Sequence, residues 1–231
     1  HSSHRRQRQM CIRDSTIGNS EAIGILKINS AGTPTGNIEL VGLAGVATSA
    51  AIGNSSTNLI NLDGTTYTTA GTQTYTTDTG DKITFTNASN TTITTSGADV
   101  GFVGGNVLLK EDANLTITTG SNSAGNISFG AALKGDDTTA TKFSDVSLTS
   151  GSGTVGLAAI STDIRDVTVS AGTANVTLSG NITLEGGTND SGVLDITGNV
   201  LAAAPITINT TDAGGGACLL YTSPSPRDEK V

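Results

Sequence analysis

The feature that most constrains this chain is a two-residue alternation between apolar and small polar side chains. It is plain in "ITFT" (83–86), "VSLTS" (146–150) and "NVTLSG" (175–180), where apolar residues stand two positions apart. Successive side chains of a β-strand point to opposite faces, so this period is typical of strands that bury one face. Thr makes up about one residue in six, and Thr and Val are β-branched residues that strands favour. The sequence therefore predicts an all-β fold.

A Gly-Asn-Ile/Val tripeptide recurs between the alternating segments. Its five copies stand at 36–38, 105–107, 125–127, 180–182 and 198–200. In four weaker copies, the residue before the apolar run is Asn58, Lys82, Asp145 or Asp166. Successive copies are separated by about 20 residues on average. A strand-like repeat of this length is typical of one coil of a solenoid, so we expect a parallel β-helix (β-solenoid) with coils of about 20 residues.

The repeated Asn and Asp residues suit the corners of such coils. They tolerate the left-handed backbone that a sharp turn requires, and stacked Asn side chains can hydrogen-bond from coil to coil. We predict a structural turn ladder formed by Asn37, Asn58, Asn106, Asn126, Asp145, Asp166, Asn181 and Asn199. The apolar residues that follow should be buried in one column: Ile38, Val107, Ile127, Val146, Val167, Ile182 and Val200. Ile, Val, Leu and Ala should point inward, and Thr and Ser outward.

A β-sandwich is the alternative fold, because Asn-Gly pairs also mark turns in sandwiches. Sandwich turns usually recur every 8–12 residues or so, whereas the spacing in this chain is near 20. Sandwich cores also usually contain more aromatic side chains than the 3% found in this chain. The solenoid is therefore the favoured interpretation.

The two ends of the chain differ in composition from its centre. Both Cys, both His and five of the six Arg lie in residues 1–15 and 218–231. "MCIRDS" (10–15) and "CLLYTS" (218–223) match, residue for residue, translations of the inverted ends of a transposase-type sequencing adapter. We therefore interpret both ends as artefactual, disordered tails. Residues 16–217 are expected to be a solenoid fragment of a longer, metagenomic reading frame.

Composition excludes several function classes for residues 16–217. This segment carries 17 acidic and 6 basic side chains, a net charge of about −11, and an acidic surface repels the phosphates of nucleic acids. It contains neither Cys nor His, so it offers no Ser-His or Cys-His pair and no imidazole or thiolate metal ligand. No apolar run reaches the length of a membrane span. We expect no cofactor, no metal and no nucleic-acid partner.

The remaining candidates for chemistry are carboxylate pairs and two tyrosines. Asp136 with Asp137, Glu111 with Asp112, and Asp78 with Asp81 are local pairs. Each is interpreted as an ordinary loop, with Ca²⁺ ligation by the third pair as the alternative. Tyr67 and Tyr75, in "TTYTTAGTQTYTT" (65–77), are expected to stack across coils; a sugar-binding platform is the alternative.

A family resemblance rests on three stretches. "INLDGTTYTTAGTQTYTT" (60–77), "ITFTNASNTTITT" (83–95) and "GNITLEGG" (180–187) resemble the repeat regions of large filamentous-haemagglutinin-like adhesins, which Gram-negative bacteria secrete by a two-partner route. The likeness covers most of residues 37–200 and rests on repeat style. It implies a right-handed parallel β-helix on the cell surface with a binding role and no catalysis. The family's secretion domain and receptor-binding tip have no counterpart in this segment.

The leading hypothesis is therefore a structural stalk segment of a secreted bacterial surface adhesin, which is not an enzyme. Its partner would be a host or neighbouring-cell surface, a glycan or a protein, reached through the parent protein. One alternative is a carbohydrate-active β-helix enzyme fragment, resembling a polysaccharide lyase or a glycosidase, with carboxylates from several coils lining a groove. Others are an autotransporter passenger segment and a surface-layer or trimeric adhesin segment.

Overall fold

The computed structural model describes residues 17, 23–110, 112–120, 124–136, 142–186 and 192–210. The strands are β1 (Ile23–Ile28), β2 (Gly36–Leu40), β3 (Leu43–Gly53), β4 (Thr57–Leu62), β5 (Thr66–Thr69), β6 (Gln73–Thr76), β7 (Lys82–Phe85), β8 (Thr91–Thr94), β9 (Val100–Val103), β10 (Asn106–Lys110), β11 (Leu115–Thr118), β12 (Ile127–Phe129), β13 (Leu133–Asp136), β14 (Ser144–Thr149), β15 (Val155–Leu157), β16 (Ile160–Ser161), β17 (Ile164–Leu178), β18 (Ile182–Thr183), β19 (Val193–Ala202) and β20 (Ile208–Asn209). These described segments contain no helix, and so no helix that could cross a membrane.

The strands pair in parallel and fall into three series, which we call faces. Face 1 contains β2, β4, β7, β10, β13, β16, β18 and β20. Face 2 contains β5, β8, β11 and β14, together with the first parts of β3, β17 and β19. Face 3 contains β1, β6, β9, β12 and β15, together with the last parts of those three long strands. Each coil visits the faces in this order, so each strand pairs with the strand one coil away.

The register along face 1 gives the length of each coil. One inward column pairs residue to residue through Ile38, Ile60, Ile83, Val107, Leu133, Ile160, Ile182 and Ile208. The steps between these eight residues are 22 to 27 residues long, and they define seven coils. The predicted fold class, an all-β parallel β-helix, is confirmed. The coils are longer than the predicted 20 or so residues, because the repeats used for that spacing come from all three faces.

The prediction that seven apolar residues share one column is wrong. Three lie on face 1 (Ile38, Val107 and Ile182), two on face 2 (Val146 and Val167) and two on face 3 (Ile127 and Val200). Six are buried, and Val200 is half-buried. The physical reason is that a polar corner residue followed by an inward apolar residue suits the start of a strand on any face. The tripeptide therefore marks a strand start without marking which one.

The core contains a short aromatic stack on face 3. Tyr75, Phe102 and Phe129 occupy the same position of successive coils. The ring centroids of Tyr75 and Phe102 lie 5.4 Å apart, and those of Phe102 and Phe129 lie 4.9 Å apart, both in stacked orientation. Phe85 of face 1 meets Phe102 edge to face at 6.1 Å. These are favourable geometries for aromatic pairs, so the four rings add aromatic contacts between coils to the aliphatic core.

The rule that Thr and Ser point outward fails at the corner between faces 2 and 3. Thr69, Thr95, Thr119 and Ser150 are buried there, one above the other. Each hydroxyl donates to a backbone carbonyl of its own corner, as Thr119 does to Gly125 at 2.6 Å and Ser150 to Gly153 at 2.6 Å. A buried carbonyl without a partner is costly, so a hydroxyl is favoured over a methyl group here. The two-residue alternation also places these residues inward, and it could have identified them.

The prediction that residues 1–15 and 218–231 are artefactual, disordered tails concerns residues outside the described part of the chain.

Candidate functional site

The predicted turn ladder is distributed over all three faces. Asn37, Asn58, Asn106 and Asn181 lie at or near strand starts on face 1. Asp145 and Asp166 lie near strand starts on face 2, and Asn126 and Asn199 lie on face 3. The structure therefore brings these residues together within a face and separates them between faces. Asn58 is the extra residue of a bulge, because Asn37 pairs with Leu59 while Gly36 pairs with Thr57.

Four members of the ladder make the same contact with the next coil. The side-chain oxygen of each accepts a hydrogen bond from a backbone N–H one coil further along. Asn106 accepts from Ala132 (3.2 Å), Asn126 from Thr154 (2.8 Å), Asp166 from Val193 (2.9 Å) and Asn181 from Thr207 (2.9 Å). On face 3, the Asn199 amide also donates to Asn175 Oδ1 at 2.7 Å. These contacts supplement the backbone ladder at the corners, where strand pairing stops.

A shallow groove follows the first edge of face 2 across four coils. One side consists of Asn90, Asn114, Asp145 and Asp166, which occupy equivalent positions in successive coils. The other side consists of Thr116, Ser147 and Thr168, and Leu115 and Val146 lie between the two sides. The groove has a volume of about 410 Å³. Because its lining residues come from successive coils, the groove runs along the solenoid axis.

The charged part of the groove is organised by Arg165. Its guanidinium donates to both oxygens of Asp145, from Nη2 at 2.6 Å and from Nε at 3.1 Å. Nε also lies 3.4 Å from Asp166 Oδ2. A bidentate arginine–carboxylate pair is among the stronger ion-pair geometries, and these side chains are roughly one-third exposed. Arg165 therefore holds two carboxylates of adjacent coils at fixed positions.

Other contacts in the groove also join one coil to the next. Asn114 Oδ1 accepts from the backbone N–H of Asp145 at 2.7 Å, and Thr116 donates to Asn90 Oδ1 at 3.2 Å. A groove with two carboxylates from adjacent coils is what the enzyme alternative requires. However, Arg165 occupies both oxygens of Asp145, and one oxygen of Asp166 accepts from a backbone N–H. Their visible role is to hold coils together.

Sequence reasoning missed Asn90 and Asn114 as corner residues. Each directly precedes a Thr- or Leu-led alternating segment, "TTITT" (91–95) and "LTITT" (115–119). Neither follows a glycine, so the Gly-Asn search passed over them. A search for Asn or Asp before any alternating segment would have found both.

Tyr67 and Tyr75 are buried in the core, which excludes the sugar-platform alternative for both. Tyr75 stacks across coils as predicted, whereas Tyr67 uses its hydroxyl to accept from Gly64 N–H at 2.9 Å and to donate to the Leu40 carbonyl at 2.8 Å. Gln73 links the two: its amide donates to the Tyr67 carbonyl at 3.0 Å, and its Oε1 accepts from the Tyr75 hydroxyl at 2.7 Å.

Burial determines the acidity of both tyrosines. It raises the pKa of Tyr75 well above 10.0, with a smaller contribution from the nearby Tyr67 phenol. Burial also raises the pKa of Tyr67; the hydrogen bond from Gly64 opposes this shift, and the Asp63 carboxylate adds to it. Both phenols are therefore neutral structural groups at physiological pH.

The carboxylate pairs seen in the sequence are placed as follows. Asp78 accepts from the N–H of Thr79 at 2.7 Å in the turn before β7, as expected of a loop residue. Asp136 lies 3.6 Å from Lys110, and Asp112 lies 3.5 Å from Lys142, in exposed ion pairs. Asp137 and Glu111 lie outside the described residues. Among the described residues, no three His, Cys, Asp or Glu side chains are arranged to hold a metal ion.

A scan against protein-family models found no match, and searches of curated proteins and of solved structures found none either.

Proposed function

We propose that this chain is a structural stalk segment of a large secreted bacterial surface adhesin. In this role it acts at the cell surface and performs no catalysis. Its task is to hold a binding region of the parent protein away from the cell, toward a host or neighbouring-cell glycan or protein. The parallel solenoid supports the proposal because it extends along one axis by repeating one unit.

The observation that carries the proposal is the use made of the polar side chains. Five corner residues, which together come from all three faces, each use a side-chain oxygen to accept a hydrogen bond from a backbone N–H of the next coil, at distances of 2.7 to 3.2 Å: Asn106, Asn114, Asn126, Asp166 and Asn181. An active site or receptor site usually keeps such groups available for a ligand. Here the groups best suited to chemistry act as links between coils, as a stalk requires.

Single-molecule pulling along the chain tests this proposal. Each coil is held mainly by its two neighbours, so tension should detach the coils one after another. Each detached coil releases 22 to 27 residues, which corresponds to roughly 70–90 Å of extended chain per step. A series of similar steps of that size is the expected trace. Loss of all structure in one rupture at low force would contradict a stalk role.

The second candidate function is the carbohydrate-active enzyme, which the groove on face 2 favours. It places Asp145 and Asp166 from adjacent coils on the same side. The enzyme proposal expects the full chain to release oligosaccharides from a panel of neutral and acidic polysaccharides. It also expects Asp145→Asn and Asp166→Asn each to abolish that release while circular dichroism shows that both variants remain folded. The stalk proposal expects no release by any of the three proteins.

A further inference from the structure

Face 2 carries a two-column array of hydroxyl side chains on its outer surface. In five successive coils, the two outward residues of the strand are Thr or Ser on either side of one inward residue. The members of this Thr/Ser array are Thr66, Thr68, Thr92, Thr94, Thr116, Thr118, Ser147, Thr149, Thr168 and Ser170. The intervening residues, among them Tyr67, Ile93, Ile117 and Leu148, are fully buried. The array is thus an outer layer on a packed core.

The array is regular in both directions. Every member pairs directly with the equivalent residue of the next coil, and no register shift interrupts these pairings. No charged side chain interrupts either column until Asp195, which follows Thr168 in the next coil. Eight of the ten members are Thr, whose χ1 angle is restricted, so the positions of these eight hydroxyls are set largely by the backbone. The result is a fixed two-dimensional grid of hydroxyl and methyl groups whose own members carry no charge. Its first column borders the groove, so Asp145 and Asp166 stand beside the grid and outside it.

Most hydroxyls of the array make no hydrogen bond to another described residue. Within the described part of the chain, only Thr116 of the ten donates to a protein acceptor, Asn90 Oδ1 at 3.2 Å. This differs from the buried column at the next corner, where every hydroxyl is bonded to a carbonyl. Side-by-side packing leaves most of the array half-buried. The other nine hydroxyls therefore face solvent with free hydrogen-bonding capacity and little freedom to move.

The spacing of the grid follows from β-sheet geometry. Adjacent parallel strands lie about 4.8 Å apart, and residues i and i+2 of one strand are about 6.6 Å apart. In ice, tetrahedral water molecules are joined by O–H···O contacts of about 2.75 Å. That geometry places next-nearest oxygens about 4.5 Å apart and gives a repeat along the sixfold axis of about 7.3 Å. Each grid spacing thus lies within roughly a tenth of an ice spacing.

We propose that the Thr/Ser array of face 2 binds the surface of ice. An ice surface is uncharged and periodic, so it is recognised by a rigid, uncharged array of similar period. The mismatch across the coils is about 0.3 Å per coil, so the outermost of the five coils are offset by about 0.6 Å when the central coil is aligned with the ice. The two columns are about 0.7 Å closer together than the ice repeat. The inference goes beyond the stalk role and does not rest on it.

The test measures the binding of the full chain to ice. The probes are thermal hysteresis, inhibition of ice recrystallisation, and partition of the labelled protein into a slowly growing ice hemisphere. Thr118→Tyr places a bulky ring at the centre of the array. The ring would keep a flat ice surface from contacting the neighbouring Thr and Ser side chains. Ser128→Tyr is the matched control, because Ser128 is an exposed outward residue of β12 on face 3.

The expected result is activity above that of albumin at equal molar concentration, at least a five-fold loss in Thr118→Tyr and no loss in Ser128→Tyr. Circular dichroism and thermal melts check that the variants are folded. If Thr118→Tyr is unfolded, Thr94→Tyr replaces it one coil away. Activity no greater than that of albumin, or an equal loss in both variants, overturns the proposal.

Two other occupants of the array are outcomes of the same test. Partition onto crystalline cellulose powder without partition into ice would mean that the grid recognises a solid polysaccharide, and it would overturn the proposal. Concentration-dependent dimerisation in sedimentation, abolished by Thr118→Tyr and accompanied by no ice activity, would mean that the array meets a second copy of the chain. Either result leaves the stalk proposal standing, because that proposal is tested by pulling.

Discussion

Leu184 and Thr183 are neighbours in the chain but occupy opposite environments. Leu184 is fully buried, whereas Thr183 is half-buried on the outward side of β18. Leu184→Asp would place a carboxylate in the apolar core without a partner, which costs several kcal/mol. Thr183→Asp places the same group at the surface and should change stability by less than about 0.5 kcal/mol. Thermal melts of the two variants compare them directly. Equal loss in both would show that the alternation does not control burial here.

The buried tyrosines predict a loss of stability at alkaline pH. The pKa of Tyr75 is raised in the folded chain. Below about pH 10 the phenol is therefore neutral in both the folded and the unfolded chain, and its ionisation does not change the free energy of unfolding. As the pH rises above that value, only the unfolded chain can ionise. Stability then falls by about 1.4 kcal/mol per pH unit for each such tyrosine, until the raised pKa is reached.

Tyr75→Phe separates this effect from hydrogen bonding. At pH 7 the variant should lose about 1–3 kcal/mol, because Gln73 Oε1 loses the donor it has at 2.7 Å. Between about pH 10 and 12, the stability of the variant should fall less steeply with pH than that of the wild type. The two slopes should differ by about 1.4 kcal/mol per pH unit, which is the contribution of one buried tyrosine. Urea unfolding at pH 7, 10 and 11 measures both quantities. Parallel pH profiles for the two proteins would contradict an assignment of this slope to Tyr75.

At the scale of the element, the corners are constrained by close passage of one coil over another. Gly104 has a φ of +93°, and a Cβ added there would lie 1.9 Å from the Thr77 carbonyl oxygen. Gly104→Ala should therefore destabilise the protein by about 2–4 kcal/mol, through backbone strain and a clash that only backbone movement relieves. Chemical unfolding measures the change.

Gly101 is the matched control on the preceding strand, β9. A Cβ added there would meet only Ser128 Oγ, at 3.4 Å. Gly101→Ala should be neutral or stabilising by about 0.5 kcal/mol, because it reduces the freedom of the unfolded chain. If both variants lost the same stability, the cost would come from any added methyl group near this corner and not from the coil crossing.

At the scale of the whole molecule, a stack of coils should lose structure locally. Each strand of face 1 pairs only with the same strand of the coils on either side, as β18 does with β16 and β20. Leu184→Asp should therefore speed amide exchange in β16, β18 and β20 by about 100-fold, equivalent to about 3 kcal/mol. Exchange in β4, β7 and β10 should stay nearly unchanged. Hydrogen exchange with mass spectrometry measures this, and uniform acceleration along the chain would show one cooperative unit instead.

The fold class was determined by the sequence alone. Alternation in segments such as "ITFT" (83–86) and "NVTLSG" (175–180) defines which side chains are buried, since a strand repeats every two residues whatever it pairs with. The recurring polar corner residues indicate that the strands belong to a repeat. Their spacing of about 20 residues favours the coils of a solenoid over the strands of a β-sandwich. The same pattern places Ile38 and Leu184 in the core, and both are buried.

Tertiary structure decided which strands share a face. A corner residue followed by an apolar residue satisfies the same local requirements on each of the three faces, so Asn106 and Asn126 look alike in the sequence and lie on different faces. Coil lengths of 22 to 27 residues vary with the loops between strands, and no local rule predicts that variation.

The candidate site is likewise a product of stacking. The pairing of β8, β11, β14 and β17 aligns Asn90 and Asn114 with Asp145 and Asp166, although up to 31 residues separate neighbours in this row. The same pairing converts separate Thr-x-Thr segments into a continuous grid. Local sequence determines which side of a strand a residue occupies. Only hydrogen bonding between coils determines which residues of distant segments stand side by side, because register depends on everything between them.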